Sequence, residues 1–363
     1  MKTWDVIIIG GGIIGLALSI ALRKRGAQVL VVERGEPGRE ASHAAGGMLA
    51  DCILDTPGAL HGLATASARM YPEFVHQLQD ESGVEVDLRD AGTLLFPPSE
   101  NKPGGKITRH TDPESSGAFP APLAELEPAL GAVRQPAVHL KERSVDPRAL
   151  VLAALKAARH REVDISSGTA VTEVIFSGDR AVGVRTAKAS YSAPVVVNCA
   201  GAWSGQLSPH RPPTRPVKGQ MLAVVSPHKI LHHVIRTPEL YLIPRSDGRV
   251  VIGSTLEEAG YDKRTNPDTI HRMHRSALKL VPALAEARIL EAWAGLRPGT
   301  PDDLPILGAT EALGYFMATG HFRDGILLAP VTAYVMAQIM TGSEPGHDLS
   351  AFSPGRFDGK TMM

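Results

Sequence analysis

The chain reads as an α/β fold of two interleaved domains, and three observations predict it. An apolar strand, Asp5-Val6-Ile7-Ile8-Ile9, turns through Gly10-Gly11-Gly12-Ile13-Ile14-Gly15 into an apolar helix running to about Arg25, and a second strand ends on Glu33. All-apolar runs of the kind buried in parallel sheets, such as Val195-Val196-Val197, return far along the chain. Long stretches with the alternation and turns of antiparallel sheet lie between them. Together these describe a Rossmann-like dinucleotide-binding domain (1–83, 145–214 and 285–363) interleaved with a β-rich α+β domain (84–144 and 215–284).

Each glycine of the first turn has a task. Gly10 makes the tight turn, Gly12 lets backbone approach a pyrophosphate, and Gly15 lets helix and strand pack closely. The helix N-terminus offers N–H groups and the positive end of its dipole to phosphates. Glu33 is placed to accept from a ribose hydroxyl, and its carboxylate repels a 2′-phosphate. Met1-Lys2 before an apolar run imitates a secretory signal, but Asp5, the glycines and the lack of a plausible cleavage site favour structure over an address.

The small residues from Ala41 to Ala50 allow backbone to lie against a ligand. Leu63, Ala66, Met70, Phe74 and Leu78 predict a helix from about Leu60 to Gln79, followed by strands Val84–Leu88 and Gly92–Phe96. Pro97 to Pro122, rich in Pro, Gly and Ser, reads as an exposed, mobile loop. Asp146-Pro147 caps a helix through Ala158. Strands follow at Val171–Phe176, Ala181–Arg185 and Val195–Val197, where the chain returns to the first domain and Cys199 reads as a small buried hydrophobe. Pro216 to Thr255 is again β-rich, with a hairpin of Leu240–Pro244 and Arg249–Gly253 around Ser246-Asp247-Gly248. Asn266-Pro267 caps a helix ended by Pro282. A last strand, Tyr315–Ala318, meets a glycine-flanked loop before a helix carrying Val331, Val335 and Ile339.

Composition removes several classes of function. Lys plus Arg equals Asp plus Glu at 38 each, so no general attraction to nucleic acid or anionic membrane is expected. No run of about 18 apolar residues predicts a membrane span. Cys52 and Cys199 suggest no disulfide framework, no Cys/His spacing suggests a metal, and a reducing cytoplasm fits. The sequence leaves a homo-oligomer open.

Five segments carry a resemblance. The glycine fingerprint, Ser42-His43-Ala44-Ala45-Gly46-Gly47-Met48-Leu49, Val217-Lys218-Gly219-Gln220, Trp293 through Thr300, and Gly320-His321-Phe322-Arg323-Asp324-Gly325-Ile326-Leu327-Leu328-Ala329-Pro330 resemble the D-amino-acid-oxidase-like FAD-dependent oxidoreductases, and within them the glycine oxidases of thiamine biosynthesis. The resemblance covers nearly the whole chain. It implies FAD, with Gly10, Gly12, Ile13, Ile14, Gly15, Glu33, Arg34, Ala41, Ser42, His43, Gly46, Gly47, Met48 and Val174 touching the cofactor, and the loop His321, Phe322, Arg323, Asp324, Gly325, Ile326 and Leu327 lying against the flavin. One dinucleotide fingerprint and no second argues independently that electrons arrive from the organic substrate rather than from NAD(P)H.

The chemistry implied is oxidation of a small amino acid by hydride transfer from Cα to flavin N5, with O₂ as the final acceptor. It needs a grip on the carboxylate, and a guanidinium fork provides one. Arg297 matches the family's carboxylate-binding arginine, Tyr241 the tyrosine bonding the same group, Arg323 a second arginine near flavin and substrate, and Met48 a residue lining the pocket. The cofactor performs the redox chemistry while the protein orients. Two places depart from the family's best-known glycine oxidases: Glu239 stands for a histidine and Leu256 for a methionine. Glycine, an N-substituted glycine such as sarcosine, and a small D-amino acid would all use the same grip. The rivals are a dehydrogenase passing electrons to a carrier and a flavin-bound subunit without turnover. Some relatives tether flavin through a histidine in the context of His43, and that covalent link is the alternative to a non-covalent FAD.

Overall fold

The computed structural model describes residues 3–51, 57–97, 118–120, 122–130 and 133–357. Its organising layer is a six-stranded sheet in the order Ile306–Ala309, Tyr315–Thr319, Val195–Asn198, Val6–Ile9, Val29–Glu33, Asp164–Ser167. All neighbours run parallel except Ile306–Ala309 against Tyr315–Thr319. Apolar β-branched side chains fill both faces, as a sheet covered on both sides requires. On one face Ile8, Val29 and Val31 pack with Leu16, Ala64, Ala154 and Val335 of four helices, Ile13–Arg23, Gly58–Ser82, Pro147–His160 and Ala329–Met340. On the other, Ile7, Ile9 and Val32 meet Val174, Ala181 and Val184 of a three-stranded sheet. Cys199 is buried among the first group.

A second, eight-stranded sheet has the order Arg288–Gly299, Arg215–Val225, Arg249–Gly253, Tyr241–Pro244, Val234–Arg236, Thr93–Leu95, Val138–Leu140, Ala118–Pro120. Alternation along its strands separates two environments. Leu222, Val224, Leu242 and Ile252 pack on Met273 and Ala277 of the helix Pro267–Leu280. Met221, Tyr241, Ile243, Val251 and Trp293 face the other way, toward Met48. The two larger sheets thus meet through the segment Ala41–Leu49, which belongs to the first unit and is laid on the free face of the eight-stranded sheet.

The structure corrects three expectations. Val84–Asp87 is not a strand, and only Leu88–Arg89 pairs. The N–H of Val84 is taken by Ser82 Oγ and that of Val86 by Gln79 Oε1, so the preceding helix end occupies donors a ladder would need. Asp164–Ser167, which sequence reading left out, is the edge of the six-stranded sheet, where a short polar strand carries no hydrophobic signal. Most of the loop expected between Pro97 and Pro122 lies outside the described residues, but Ala118–Pro120 forms a strand.

A cavity between the sheets as the candidate active site

A cavity of about 910 Å³ runs from the C-terminal ends of the parallel strands to the free face of the larger sheet. Ligands of such α/β sheets bind at those strand ends, and the volume lies toward the upper end of ordinary ligand pockets, about 300–1,000 Å³. Its nucleotide end is lined by Gly10, Gly12, Ile13, Ile14, Glu33, Arg34, Ala41 and Ser42. Gly10 has φ 110°, and a Cβ there would strike the Cys199 carbonyl. A Cβ on Gly12 would meet only Ser42 Oγ, at 3.3 Å, which leaves bare backbone facing the cavity. Glu33 accepts from Gly11 N–H and Gly35 N–H, both at 2.8 Å, so the acid that ends the strand also shapes the glycine turn. Arg34 lies 3.5 Å from the Trp203 ring centroid, closing this end with a cation–π contact.

The other end is built by strand register. Tyr241 stands opposite Gly253, Gly253 opposite Met221, and Met221 opposite Trp293, so the four positions share a face. Tyr241 rests on Gly253, where any Cβ would overlap its ring. Arg297 pairs with Val217, and its guanidinium lies over Gly219. Its Nη2 donates to Ser254 Oγ at 2.6 Å and its Nη1 to the Thr255 carbonyl at 3.2 Å. Burial lowers the Arg297 pKa and the phenol of Tyr241 works against that shift, while Arg323 adds a second positive charge. Arg236, opposite Tyr241 in the ladder, also lines the wall and is paired with buried Glu142 at 3.2 Å.

Two loops complete the walls. Gly46, Gly47 and Met48 are held on the sheet by Arg245 Nη2, which donates to the Gly46 carbonyl at 2.6 Å, while Trp293 Nε1 donates to the Ala44 carbonyl at 3.1 Å. His321, Phe322, Arg323, Asp324, Gly325 and Ile326 form the second loop. Gly320 and Phe322 have φ of 74° and 45°, and Phe322 N–H donates to the Pro298 carbonyl at 3.0 Å, tying this loop to the Arg297 strand. His321 is fully buried against Thr332 Oγ1, and burial drops its pKa to about 3, so it stays neutral.

The cavity therefore gathers most residues singled out from the sequence, including Tyr241, Arg297, Arg323 and Met48. Four expected cofactor residues do not line it. Gly15 lies behind the turn, where a Cβ would collide with the Gly10 carbonyl, in keeping with a packing task. Val174 and Leu327 are core residues, and Ala170 and Val171 line the wall instead of Val174. His43 is half-buried beside Arg148, away from the wall; burial, then Arg148 and Arg39, lower its pKa. Arg236, Trp203 and Ser254 were missed. Trp203 follows the C-terminal end of a parallel strand, a position that itself signals ligand contact; Arg236 and Ser254 carry no motif.

The fold and cavity define an FAD-binding oxidoreductase architecture: bare glycine backbone at a helix start, an acid closing the second strand, and room for an extended dinucleotide. The family model described as DAO, FAD-dependent oxidoreductase, matches residues 5–339, and the chain belongs to that family. It is similar to a glycine oxidase of Pseudomonas aeruginosa, 33% identical over 96% of this chain and 98% of that protein. It is also similar to a bifunctional protein ThiO/ThiG of Trichormus variabilis, 35% identical over 98% of this chain, but it spans only 55% of that relative's length. Among solved structures, a glycine oxidase of Geobacillus kaustophilus superposes with a TM-score of 0.93 at 29% identity, covering 99% of this chain and all of that one. A hydrogen cyanide synthase subunit HcnC of Pseudomonas aeruginosa is 30% identical over 98% of this chain and 97% of that protein. FAD is the cofactor of this family, and the residues here fit it. Among the described residues no helix is long and apolar enough to cross a membrane, and no His/Cys/Asp/Glu group could hold a metal.

Proposed function

We propose that the chain oxidises the Cα–N bond of glycine or a close relative, taking glycine, O₂ and water to glyoxylate, ammonia and H₂O₂, and that it serves thiamine thiazole synthesis. The observation that carries the reading is the pairing of Arg297 and Tyr241 on one face of the larger sheet, with Arg323 close by, where the cavity ends. Bound FAD supplies the two-electron acceptor. Arg297 offers a charged fork to the substrate carboxylate and cannot lose its proton at working pH. The Tyr241 hydroxyl adds a neutral donor to the same group. Held at that end, the substrate presents Cα–H toward the wall formed by Gly46, Met48 and the loop from His321 to Ile326. The Ser254 and Thr255 contacts keep the fork in place before substrate arrives, so little ordering is left for binding. The domain bounds expected from the sequence assign cofactor binding to 1–83, 145–214 and 285–363, and substrate binding to 84–144 and 215–284.

One observation favours a larger amine as a second reading. Glu239 and Leu256 both line the cavity, and Leu256 is 56% exposed, so the wall beside the carboxylate grip is open on that side. N-substituted glycines, or a small D-amino acid oxidised with electrons passed to a carrier, would use the same grip. Anaerobic addition of glycine, sarcosine, N-ethylglycine and D-alanine to the purified holoenzyme ranks them by the rate of flavin bleaching. Fastest bleaching by glycine supports the first reading, and bleaching confined to the larger amines overturns it in favour of the second.

A further inference from the structure

The carboxyl of Asp324 has no task in the reading above. The other buried acids of the described residues each have a partner: Glu33 in Gly11 and Gly35, Glu127 in His232 and His233 through one of its two oxygens, Glu142 in Arg236, and Asp146 in Arg148 and Arg249. Asp324 is enclosed by protein yet opens on the cavity, and no hydrogen bond within the described residues reaches its side chain. Its backbone is fixed: its N–H donates to the His321 carbonyl at 2.8 Å and its carbonyl accepts from Leu328 at 2.8 Å.

The charged surroundings place it at the substrate end. Arg323 of its own loop and Arg236 of the larger sheet act on it directly. Arg236 stands opposite Tyr241 in the ladder, and Arg323 in turn acts on Arg297. Glu142 neutralises Arg236 from behind, Glu239 lies on the same cavity wall, and buried His321 is neutral. A carboxyl without a donor, aimed into a site that must hold a carboxylate on one side, is chemically a place for the cation on the other side of an amino acid.

We infer that Asp324 receives the ammonium group of the amino-acid substrate and takes its proton, acting as the base that frees the amine before oxidation. This rests on the proposed oxidation of a carboxylate-bearing amine. The proton passes from the ammonium nitrogen to Asp324 Oδ, so ammonium and carboxylate become amine and carboxylic acid. Bound FAD would supply the two-electron acceptor for the hydride of the Cα–H bond, and the nitrogen lone pair that Asp324 frees would close the C=N bond of the iminium product. The guanidinium groups of Arg297, Arg323 and Arg236 lower the proton affinity of the nearby amine, and since Arg323 and Arg236 also hold down that of Asp324, it is the burial of Asp324 that favours the transfer. Burial, against the opposing pull of Arg323 and Arg236, pushes Asp324 up to about 6, which keeps it ionised at neutral pH and gives it more proton affinity than an exposed aspartate.

The test is anaerobic flavin reduction by glycine from about pH 4.5 to 10 with wild-type holoenzyme and Asp324→Asn. The wild-type second-order rate of bleaching is expected to rise to a plateau with a limb near pH 6. The variant is expected to be slowed about tenfold or more at pH 7, with its rate climbing about tenfold per pH unit toward the wild-type value as free amine accumulates in solution. Affinity for glycolate, which carries the carboxylate without the amine, stays within about twofold. A variant that keeps the wild-type pH profile overturns the inference, and so does an equal loss of glycolate affinity, which marks a structural role. A measurement on the wild type alone decides the case where the variant does not fold. With glycine, a limb near pH 6 is expected if Asp324 is the base, and a rate that rises only toward the far higher pKa of the glycine ammonium overturns the inference. Wild-type enzyme that no amine bleaches fails on the function itself, whereas normal bleaching with an unaltered Asp324→Asn profile fails on this inference alone.

Discussion

Gly219→Ala tests the carboxylate grip without touching any group proposed to bind substrate. Gly219 lies in the strand Arg215–Val225, and a Cβ there would overlap Nη1, Cζ and Nη2 of Arg297. The obstacle is the far end of a flexible side chain, and alanine suits a strand better than glycine by about 0.5–1 kcal/mol, so the fold is expected to hold. The guanidinium has to move off the strand, straining the bonds to Ser254 Oγ and the Thr255 carbonyl and turning the fork from its aim. A hydrogen bond to a charged group contributes about 1.5–3 kcal/mol. Losing one such bond lowers kcat/KM by roughly 10- to 150-fold, since about 1.4 kcal/mol is tenfold. The assay is stopped-flow flavin reduction under anaerobic conditions, with flavin content and melting temperature as controls. A folded, flavin-loaded variant whose kcat/KM stays within about twofold of wild type would refute the placement of the carboxylate on Arg297.

Other outcomes follow from the same contacts. Arg297→Lys keeps the charge but loses the fork, and kcat/KM is expected to fall by about 100-fold, mostly through the substrate dissociation constant measured by flavin reduction. Glu33→Ala leaves the Gly11 N–H without its partner, at a cost of about 1–3 kcal/mol, so the dissociation constant of FAD from apoprotein, read by flavin fluorescence, is expected to rise about tenfold or more. Gly15→Ala drives a Cβ into the Gly10 carbonyl, and both melting temperature and FAD affinity are expected to drop. Asp146 gives a pH prediction: burial alone would raise its pKa, but the charge of Arg245 and the hydrogen bond from Arg249 outweigh burial and hold it below the usual carboxylate range. A depressed folded-state pKa contributes stability above the unfolded value, about 3.9, that is lost as pH falls through the folded value. Asp146→Asn is therefore expected to melt below wild type at pH 7, with the gap narrowing as pH falls below about 4.

The parts legible in the sequence are those with a local cause. Gly10 and Gly15 sit where a side chain would strike backbone, so the fingerprint could be read without knowing its partners. Val195-Val196-Val197 is an unbroken apolar run because it lies between two strands and two covered faces, and that composition announces its place in the sheet. Asp164–Ser167 lies at the edge of the same sheet and carries no comparable pattern. The larger sheet's contribution to the cavity depends on register, which sequence leaves undetermined. Arg236 faces the cavity because it pairs with Tyr241, and Arg297 reaches Ser254 because three strands align. Arg297 and Tyr241 stand out by resemblance, whereas the reason for Val217-Lys218-Gly219-Gln220 lies in the placement of Gly219 beneath the guanidinium, which only strand register sets. Val174 has its side chain in the core, and Ala170 and Val171 line the cavity beside it, a difference that no local pattern announces.

The most direct measurement compares single-turnover flavin reduction by glycine and by glycinamide, which has the same Cα–N bond and no carboxylate. A grip centred on Arg297 and Tyr241 predicts that glycine bleaches the flavin and that glycinamide at equal concentration does so at least about 100-fold more slowly. Equal rates for the two, or a flavin that dithionite reduces but no small amino acid does, would contradict it.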